Sequence, residues 1–230
     1  MSPTQRRRRH SLPSATTPRP ELTLVIRPAP LAPQLLQIFD TNADVLTPTG
    51  FDTFILPYLT LIPTLVRAKL AALGVACPPM TVFAKGASPA QLSSLSKIGY
   101  QTVGLDWKTS ARTAREATGG RVALQGNLDP AYLHAGRDAI RRGVEEMCWG
   151  KDGFLTCAKE GMAGGWVVNL GHGITPGVPP DDMKYFLECV REECAKKDKV
   201  STRNGARLSG LLSSMLTVPP WFVTRSSRVL

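Results

Sequence analysis

The 230-residue sequence lacks the features that would assign it to a membrane, a disulfide framework or a metal site. It has no run of 18 apolar residues, so we expect no membrane span. Its five cysteines are scattered and form no Cys-x-x-Cys pair, so neither disulfides nor a zinc site is indicated. A reducing compartment fits such cysteine usage best, and we expect a cytoplasmic protein that uses no metal.

Acidic residues are almost absent from both ends of the chain, although the whole carries a formal charge of +10. Residues 1–30 contain six arginines against Glu21, and residues 199–230 contain five basic residues and no acidic one. Residues 31–198 hold 17 basic and 17 acidic residues and are neutral. This distribution argues against a basic groove in the fold and therefore against nucleic-acid binding.

The same distribution divides the chain into three parts. Residues 1–30 are rich in Pro, Ser and Arg and are expected to be disordered, residues 31–198 to form the folded part, and residues 199–230 to be a basic and apolar tail. The first 20 residues have the composition of an organellar transit peptide, but their four prolines disfavour the amphipathic helix that such a peptide forms. The sequence leaves organellar targeting open.

Short apolar runs alternate with helical stretches between residues 35 and 198, which indicates an α/β fold. The predicted strands are residues 35–39, 80–84, 102–106, 121–126 and 166–170. Because they are apolar on both faces, they favour a parallel sheet covered by helices. Helical periodicity covers residues 51–73, which Pro57 and Pro63 are expected to kink or divide, and residues 137–148 and 181–197.

Each predicted strand ends in a polar break: FDTN (39–42), FAKG (83–86), LDWK (105–108), QGNLDP (125–130) and NLGHG (169–173). Taken singly, such a break is more often a turn or a helix cap, and Asp129 with Pro130 is expected to cap the following helix. The carboxyl ends of parallel strands lie on one face, however, so five breaks favour one shared site. His172, between two glycines, would lie where the backbone can turn sharply and approach a ligand.

These breaks and their flanking residues also carry a resemblance to a known family. FDTN, PMTVFAKG (79–86), VGLDW (103–107), LQGNLDP (124–130) and NLGHGITPGVPP (169–180), in this order and spacing, resemble uroporphyrinogen decarboxylase of haem biosynthesis. The resemblance extends from about residue 31 to residue 197. It implies a (β/α)8 TIM barrel, of which these five strands would be the fourth to eighth, so that the chain would form an incomplete barrel of about five βα units.

The resemblance implies a reaction as well as a fold. Members of that family are homodimers that remove CO2 from the four acetate side chains of uroporphyrinogen, a reduced tetrapyrrole, to give coproporphyrinogen, without metal or cofactor. Loss of CO2 needs an electron sink, which a protonated pyrrole ring supplies, and an anionic group stabilises the cationic ring that develops. Basic groups hold the many carboxylates of the substrate.

Three residues match the family's substrate-binding positions. His172 resembles a histidine that contacts a substrate carboxylate or transfers a proton, and it is our candidate catalytic residue. Thr41 resembles the Ser or Thr that contacts the substrate, and Phe39 the aromatic residue that packs on the macrocycle. Asn42 departs from the Trp or His expected there. Four further polar residues occupy the same strand ends without an assigned role: Lys85, Asp106, Gln125 and Asn127.

Other motifs of the family have no match in this sequence. They are an R-Q-A-G-R segment, an Asp that meets the pyrrole nitrogens and a Tyr after the third strand. We therefore expect no decarboxylase activity from the chain alone. The alternative is a non-catalytic interaction protein that pairs with a full-length subunit, and a third reading is nucleic-acid binding through the basic ends, with a steep salt dependence. Residues 151–165 are expected to form a long, loosely held loop.

Overall fold

The structure, a computed structural model, describes residues 33–203 and the side chains of residues 33–196. The expectations for residues 1–30 lie outside this range, as does most of the expected tail. The last helix continues to Arg203 and so includes the first five residues of the expected tail.

Five parallel strands form one sheet in chain order, which confirms the α/β assignment. Each strand pairs only with its neighbours in the sequence, through helical crossovers, as in a barrel whose strands are added one after another. The third strand is shorter than expected and ends at Gly104, although the Leu105 N–H still donates to the Gln125 carbonyl of β4 at 2.8 Å. The strands are β1 (Leu36–Asp40), β2 (Met80–Ala84), β3 (Thr102–Gly104), β4 (Ala123–Leu128) and β5 (Trp166–Leu170).

Seven α-helices and two 3-10 turns lie between and after the strands in the described residues. Several begin with a polar cap, for example Ser88, whose side chain and that of Gln91 form a reciprocal capping box. The helices are α1 (Pro48–Phe54), α2 (Leu56–Ala72), α3 (Pro89–Leu95), α4 (Ala111–Thr118), α5 (Arg137–Trp149), α6 (Phe154–Lys159) and α7 (Pro180–Arg203), and the turns are Ala43–Val45 and Pro130–His134.

The two prolines of the first helical stretch behave differently. The helix divides at Ile55, so Pro57 lies in the first turn of α2, where a missing N–H costs nothing. Pro63 lies inside α2, which continues past it.

The segment Pro48–Ala72 is long and apolar enough to cross a membrane by length and composition alone. Its buried side chains, among them Phe51 and Leu70, belong to the core under the sheet.

The two faces of the sheet differ in what they contact. Residues in register on the outer face are apolar and pack against the helices: Ile38, Val82, Val103, Leu124 and Trp166. The next residues along the strands point to the opposite, concave face. There the Gln125 Nε2 group on β4 donates to Gln37 Oε1 on β1 at 3.3 Å. In a flat sheet, β1 and β4 would lie about 14 Å apart, because neighbouring strands are about 4.8 Å from each other. This contact therefore shows that the sheet curls as in a barrel.

The two outermost strands have a free edge within residues 33–203. All five residues of β2 are buried, whereas β1 has no buried residue and β5 has one. Phe39 on β1 is 66% exposed although it points into the concave face. The described part of the chain is therefore an open section of a barrel, and its concave side is accessible to solvent.

Residues 151–165 do not form the loosely held loop that the sequence suggested. They contain α6, whose Phe154, Leu155 and Cys157 are buried, and the Phe154 ring stacks on Trp166 with centroids 4.4 Å apart. Arg112 of α4 also holds the segment by ion pairs. Its guanidinium contacts Asp152 and Glu160, each at 2.8 Å, and these carboxylates raise the pKa of Arg112.

Replacing Arg112 by methionine is expected to loosen this segment. The variant keeps an apolar stem of similar length but loses both ion pairs and the bond to the Lys151 carbonyl. Limited proteolysis should then cut within residues 151–162 severalfold faster than in the unsubstituted chain, because local opening exposes the backbone. Arg141→Met, which removes an ion pair to Glu192 elsewhere, is the matched control. Equal cutting rates in both variants would contradict the anchoring role of Arg112.

Candidate functional site

The concave face holds one cavity of about 550 Å3 at the carboxyl ends of the strands. Its wall is mostly apolar, with amide and hydroxyl groups between the apolar side chains. Within the described residues, His172 is the single titratable side chain in this lining. The central cavity is lined by Gln37, Phe39, Thr41, Phe83, Gly104, Leu105, Gln125, Asn169, Leu170, His172, Gly173, Ile174 and Met183.

Two aromatic rings form the floor of the central cavity on the side of β1 and β2. Phe39 and Phe83 are register partners, and their rings meet edge to face with centroids 6.1 Å apart. The absence of a side chain at Gly104 makes room for them, since a Cβ there would lie 3.0 Å from the Phe83 ring. The exposed face of Phe39 is therefore available to a flat or saucer-shaped apolar ligand.

A row of amide side chains from β1, β4 and β5 also lines the central cavity. Gln125 is 7% exposed and bonds to Gln37, and Asn169 on the edge strand β5 completes the set. Amides can donate and accept, so this row can bind carboxylates or pyrrole N–H groups without adding charge to the cavity. Sequence reasoning named Gln125 without a role, included Phe83 and Asn169 in two of the polar breaks without singling them out, and missed Gln37. The signal for Gln37 was present as a polar residue inside an otherwise apolar strand.

His172 lies on the loop that follows β5. The backbone of Gly171 passes so close to Trp107 that a Cβ would lie 2.4 Å from the Trp107 amide nitrogen, so this position requires glycine. The His172 ring is exposed and meets the Trp107 ring at 5.9 Å between centroids and 79° between planes. Gly171 thus allows a close approach to the loop that carries Trp107, whereas a Cβ at Gly173 would meet open space and neither glycine has a positive φ.

Two other residues named from the sequence, Asp106 and Asn127, lie at the same end of the sheet, but their side chains stabilise the loops. Asp106 is 3% exposed and accepts from the backbone N–H of Gly86 (2.7 Å) and Lys108 (3.0 Å) and from the Thr109 hydroxyl (3.2 Å). The Asn127 amide donates to the carbonyls of Asp106 and Thr109. These two side chains connect neighbouring loops and do not line the central cavity.

Lys85 and Asp129 also have structural partners. Lys85 pairs with Asp44 at 3.0 Å, and this hydrogen bond holds the pKa of the Asp44 carboxyl below its usual range. Asp129 caps the turn that begins at Pro130 by accepting from the Ala131 N–H at 2.9 Å, which confirms its predicted role. The structure therefore brings together Phe39, Thr41, Gln125 and His172, and keeps Lys85, Asp106 and Asn127 outside the cavity lining.

Metal ligands do not cluster in the described part of the chain, where no group of three or more His, Cys, Asp or Glu residues could hold an ion. None of the five cysteines forms a disulfide bond, and burial raises the pKa of the Cys148 and Cys157 thiols, which keeps both protonated and unreactive. None of the five lines the central cavity.

The described residues form a section of a parallel βα barrel with a cavity at the carboxyl ends of its strands, where barrels of this class carry their sites. Comparison with known proteins identifies the family. The profile of the family described as Uroporphyrinogen decarboxylase (URO-D) matches residues 31–193, and the chain belongs to this family.

Curated relatives agree with the family match. The chain is 44% identical over 156 residues to the uroporphyrinogen decarboxylase of Schizosaccharomyces pombe, 40% over 157 residues to that of Danio rerio and 38% over 159 residues to that of Homo sapiens. The alignments cover 67%, 68% and 69% of this chain and 41%, 40% and 40% of the respective relatives. The chain thus spans about two fifths of the length of the curated relatives it matches.

Proposed function

We propose that this chain contributes one part of a uroporphyrinogen decarboxylase site, which removes CO2 from the four acetate side chains of the tetrapyrrole. The observation that carries the proposal is the central cavity, where Phe39, Thr41 and His172 lie together in a chain that belongs to this family. Phe39 and Thr41 reach the cavity from the carboxyl end of β1, and His172 reaches it from the loop after β5. Their chemistry suits an apolar macrocycle with polar substituents.

In this proposal the three residues have distinct roles. Phe39 packs its exposed ring on the tetrapyrrole, and Thr41 donates its hydroxyl to a substrate carboxylate. His172, protonated, pairs with a further carboxylate or delivers a proton to the pyrrole carbon that has lost CO2. The half-buried amide of Gln37 on β1 and the buried amide of Gln125 on β4 line the same cavity and are further candidates for contacts with the ligand.

The described lining cannot supply every charge that the reaction needs. It contains neither a carboxylate to stabilise a protonated pyrrole ring nor an arginine or lysine to balance the substrate carboxylates. Asp106, a buried carboxylate in the loop after β3, is occupied by three donors. We therefore propose that the charged groups come from polypeptide outside residues 33–203, placed beside β1 and β5.

Binding of the reduced substrate tests the roles of His172 and Thr41. We expect His172→Asn to weaken binding of anaerobic uroporphyrinogen to the 230-residue chain about tenfold, because a hydrogen bond to a charged group is lost. Thr41→Val should weaken it severalfold. Thr60→Val is the matched control, since the Thr60 hydroxyl donates to the Leu56 carbonyl on an exposed face of α2. Equal affinities for His172→Asn and the control would contradict the proposed site.

A second function is favoured by the two free sheet edges of the described section. Unpaired strand edges bind further strands readily, so the chain could instead act as a non-catalytic partner of a full-length family member. Co-purification with such a subunit, in the absence of any tetrapyrrole affinity, would favour this reading.

We further propose that the protein is cytoplasmic and forms a homodimer. It is proposed to hold no resident metal or cofactor, to bind no nucleic acid and not to associate with a membrane.

A further inference from the structure

We propose that Trp107 is a positioning residue, which holds the imidazole of His172 in the orientation that meets the ligand of the central cavity. This inference rests on the proposed function, because it gives His172 its role. Trp107 itself lies outside the cavity lining and reaches the site only through the histidine.

The contact between the two rings has the geometry of a specific aromatic pair. Their centroids are 5.9 Å apart and their planes are 79° from parallel, which is the edge-to-face arrangement that such rings prefer. In the described residues, the other contact recorded for the imidazole is from Nδ1 to the Gly173 carbonyl at 3.4 Å, at the outer limit of a hydrogen bond. The Trp107 ring is therefore the principal restraint on an otherwise exposed side chain.

The backbone fixes both partners of this pair. The Asp106 carboxylate accepts from the Lys108 N–H and so determines the turn that carries Trp107. Gly171 donates its N–H to the Leu128 carbonyl at 2.7 Å and leaves no room for a Cβ against the Trp107 amide. The indole and the imidazole thus project from two backbone segments that are already in contact, so their approach does not depend on the ligand.

A second contact holds the far side of the same loop. The His134 Nε2 atom lies 2.7 Å from the Thr175 hydroxyl, which connects the turn after β4 with the loop after β5. This bond restrains the backbone of the loop three residues beyond His172 but does not touch its ring. Because of this bond, the backbone of the loop is expected to keep its conformation when Trp107 is replaced. The replacement would then change the orientation of the His172 imidazole rather than the position of the loop.

Nuclear magnetic resonance of the 230-residue chain with labelled histidine and tryptophan tests the contact directly. We expect a nuclear Overhauser effect between the imidazole of His172 and the indole of Trp107, with the histidine signals assigned by their loss in His172→Asn. Trp107→Leu should move the imidazole signals toward their random-coil positions, whereas Trp107→Phe should retain most of the ring-current displacement. Absence of the Overhauser effect, or unchanged signals in Trp107→Leu, would overturn the proposal.

The affinity for uroporphyrinogen shows whether Trp107 positions His172 or merely lies beside it. Trp107→Leu should weaken uroporphyrinogen binding about two- to tenfold, and Trp107→Phe should restore it. If Trp107→Leu does not fold, Gly171→Ala replaces it, because the added Cβ moves the loop from Trp107 without altering the indole. Full affinity in Trp107→Leu, with a loss in His172→Asn, would overturn the positioning role and leave the proposed function intact. Full affinity in His172→Asn would overturn both.

Discussion

Replacing Asp106 by alanine is expected to lower the free energy of unfolding by about 3 kcal/mol, because it leaves buried donors without a partner. The carboxylate is 3% exposed and accepts from two backbone N–H groups and one hydroxyl, which belong to the loops after β2 and β3. Urea unfolding followed by circular dichroism measures the change. In a chain of this size the midpoint of thermal unfolding should fall by about 6 to 12 °C.

Two further variants make this prediction specific. Asp106→Asn keeps the shape and one accepting oxygen, so it should lose about half as much stability as the alanine variant. Asp129→Ala removes the cap of an exposed turn, where a loss of about 1 kcal/mol is expected. If Asp106→Ala is no more destabilising than Asp129→Ala, the carboxylate does not join the two loops as described.

The 230-residue chain by itself is expected not to convert uroporphyrinogen to coproporphyrinogen. The physical reason lies in the central cavity, whose described lining has His172 but neither a carboxylate for the protonated pyrrole ring nor cations for the substrate carboxylates. Anaerobic incubation followed by chromatographic separation of the oxidised porphyrins measures the conversion. The expected product is indistinguishable from that of a blank without protein.

Co-expression with the part of a family member that the alignment leaves uncovered provides the positive control. If that part supplies the missing charges, conversion should appear, and His172→Ala in the same assembly should reduce the rate by about a hundredfold to ten-thousandfold, the usual contribution of a general acid or base. Conversion by the unaccompanied chain would contradict the prediction. Restored conversion that is insensitive to His172→Ala would contradict the role of the histidine.

Much of the fold could be predicted because its signals are local. The five strands are short apolar runs, and the structure places all five within a few residues of the predicted bounds. The polar breaks after them converge, as the geometry of a parallel sheet requires. Errors arose where local composition misleads. Residues 151–165, four of which are glycines, were expected to form a loop, yet they contain α6, which is held by Arg112 and by the stacked rings of Phe154 and Trp166.

The candidate site could be predicted only in part. Phe39, Thr41 and His172 were found through resemblance to a family, and the structure places them around one cavity. Asp106 and Asn127 have the same sequence context and equally suitable chemistry, but their side chains point into the loops. Whether a polar residue at a strand end faces the ligand or the neighbouring loop depends on its rotamer and partners, which no spacing rule specifies.

The sequence by itself determined the class of fold, the order of the strands and the family, because apolar periodicity and the order of the motifs can be recognised without knowledge of tertiary contacts. Only the tertiary structure decided which polar groups share the cavity. The bond between Gln37 and Gln125 joins residues 88 positions apart, and the contact of Trp107 with His172 joins loops from different strands. Such contacts depend on how far the sheet curls and how closely two backbones approach at Gly171, and both are properties of packing rather than of any local segment.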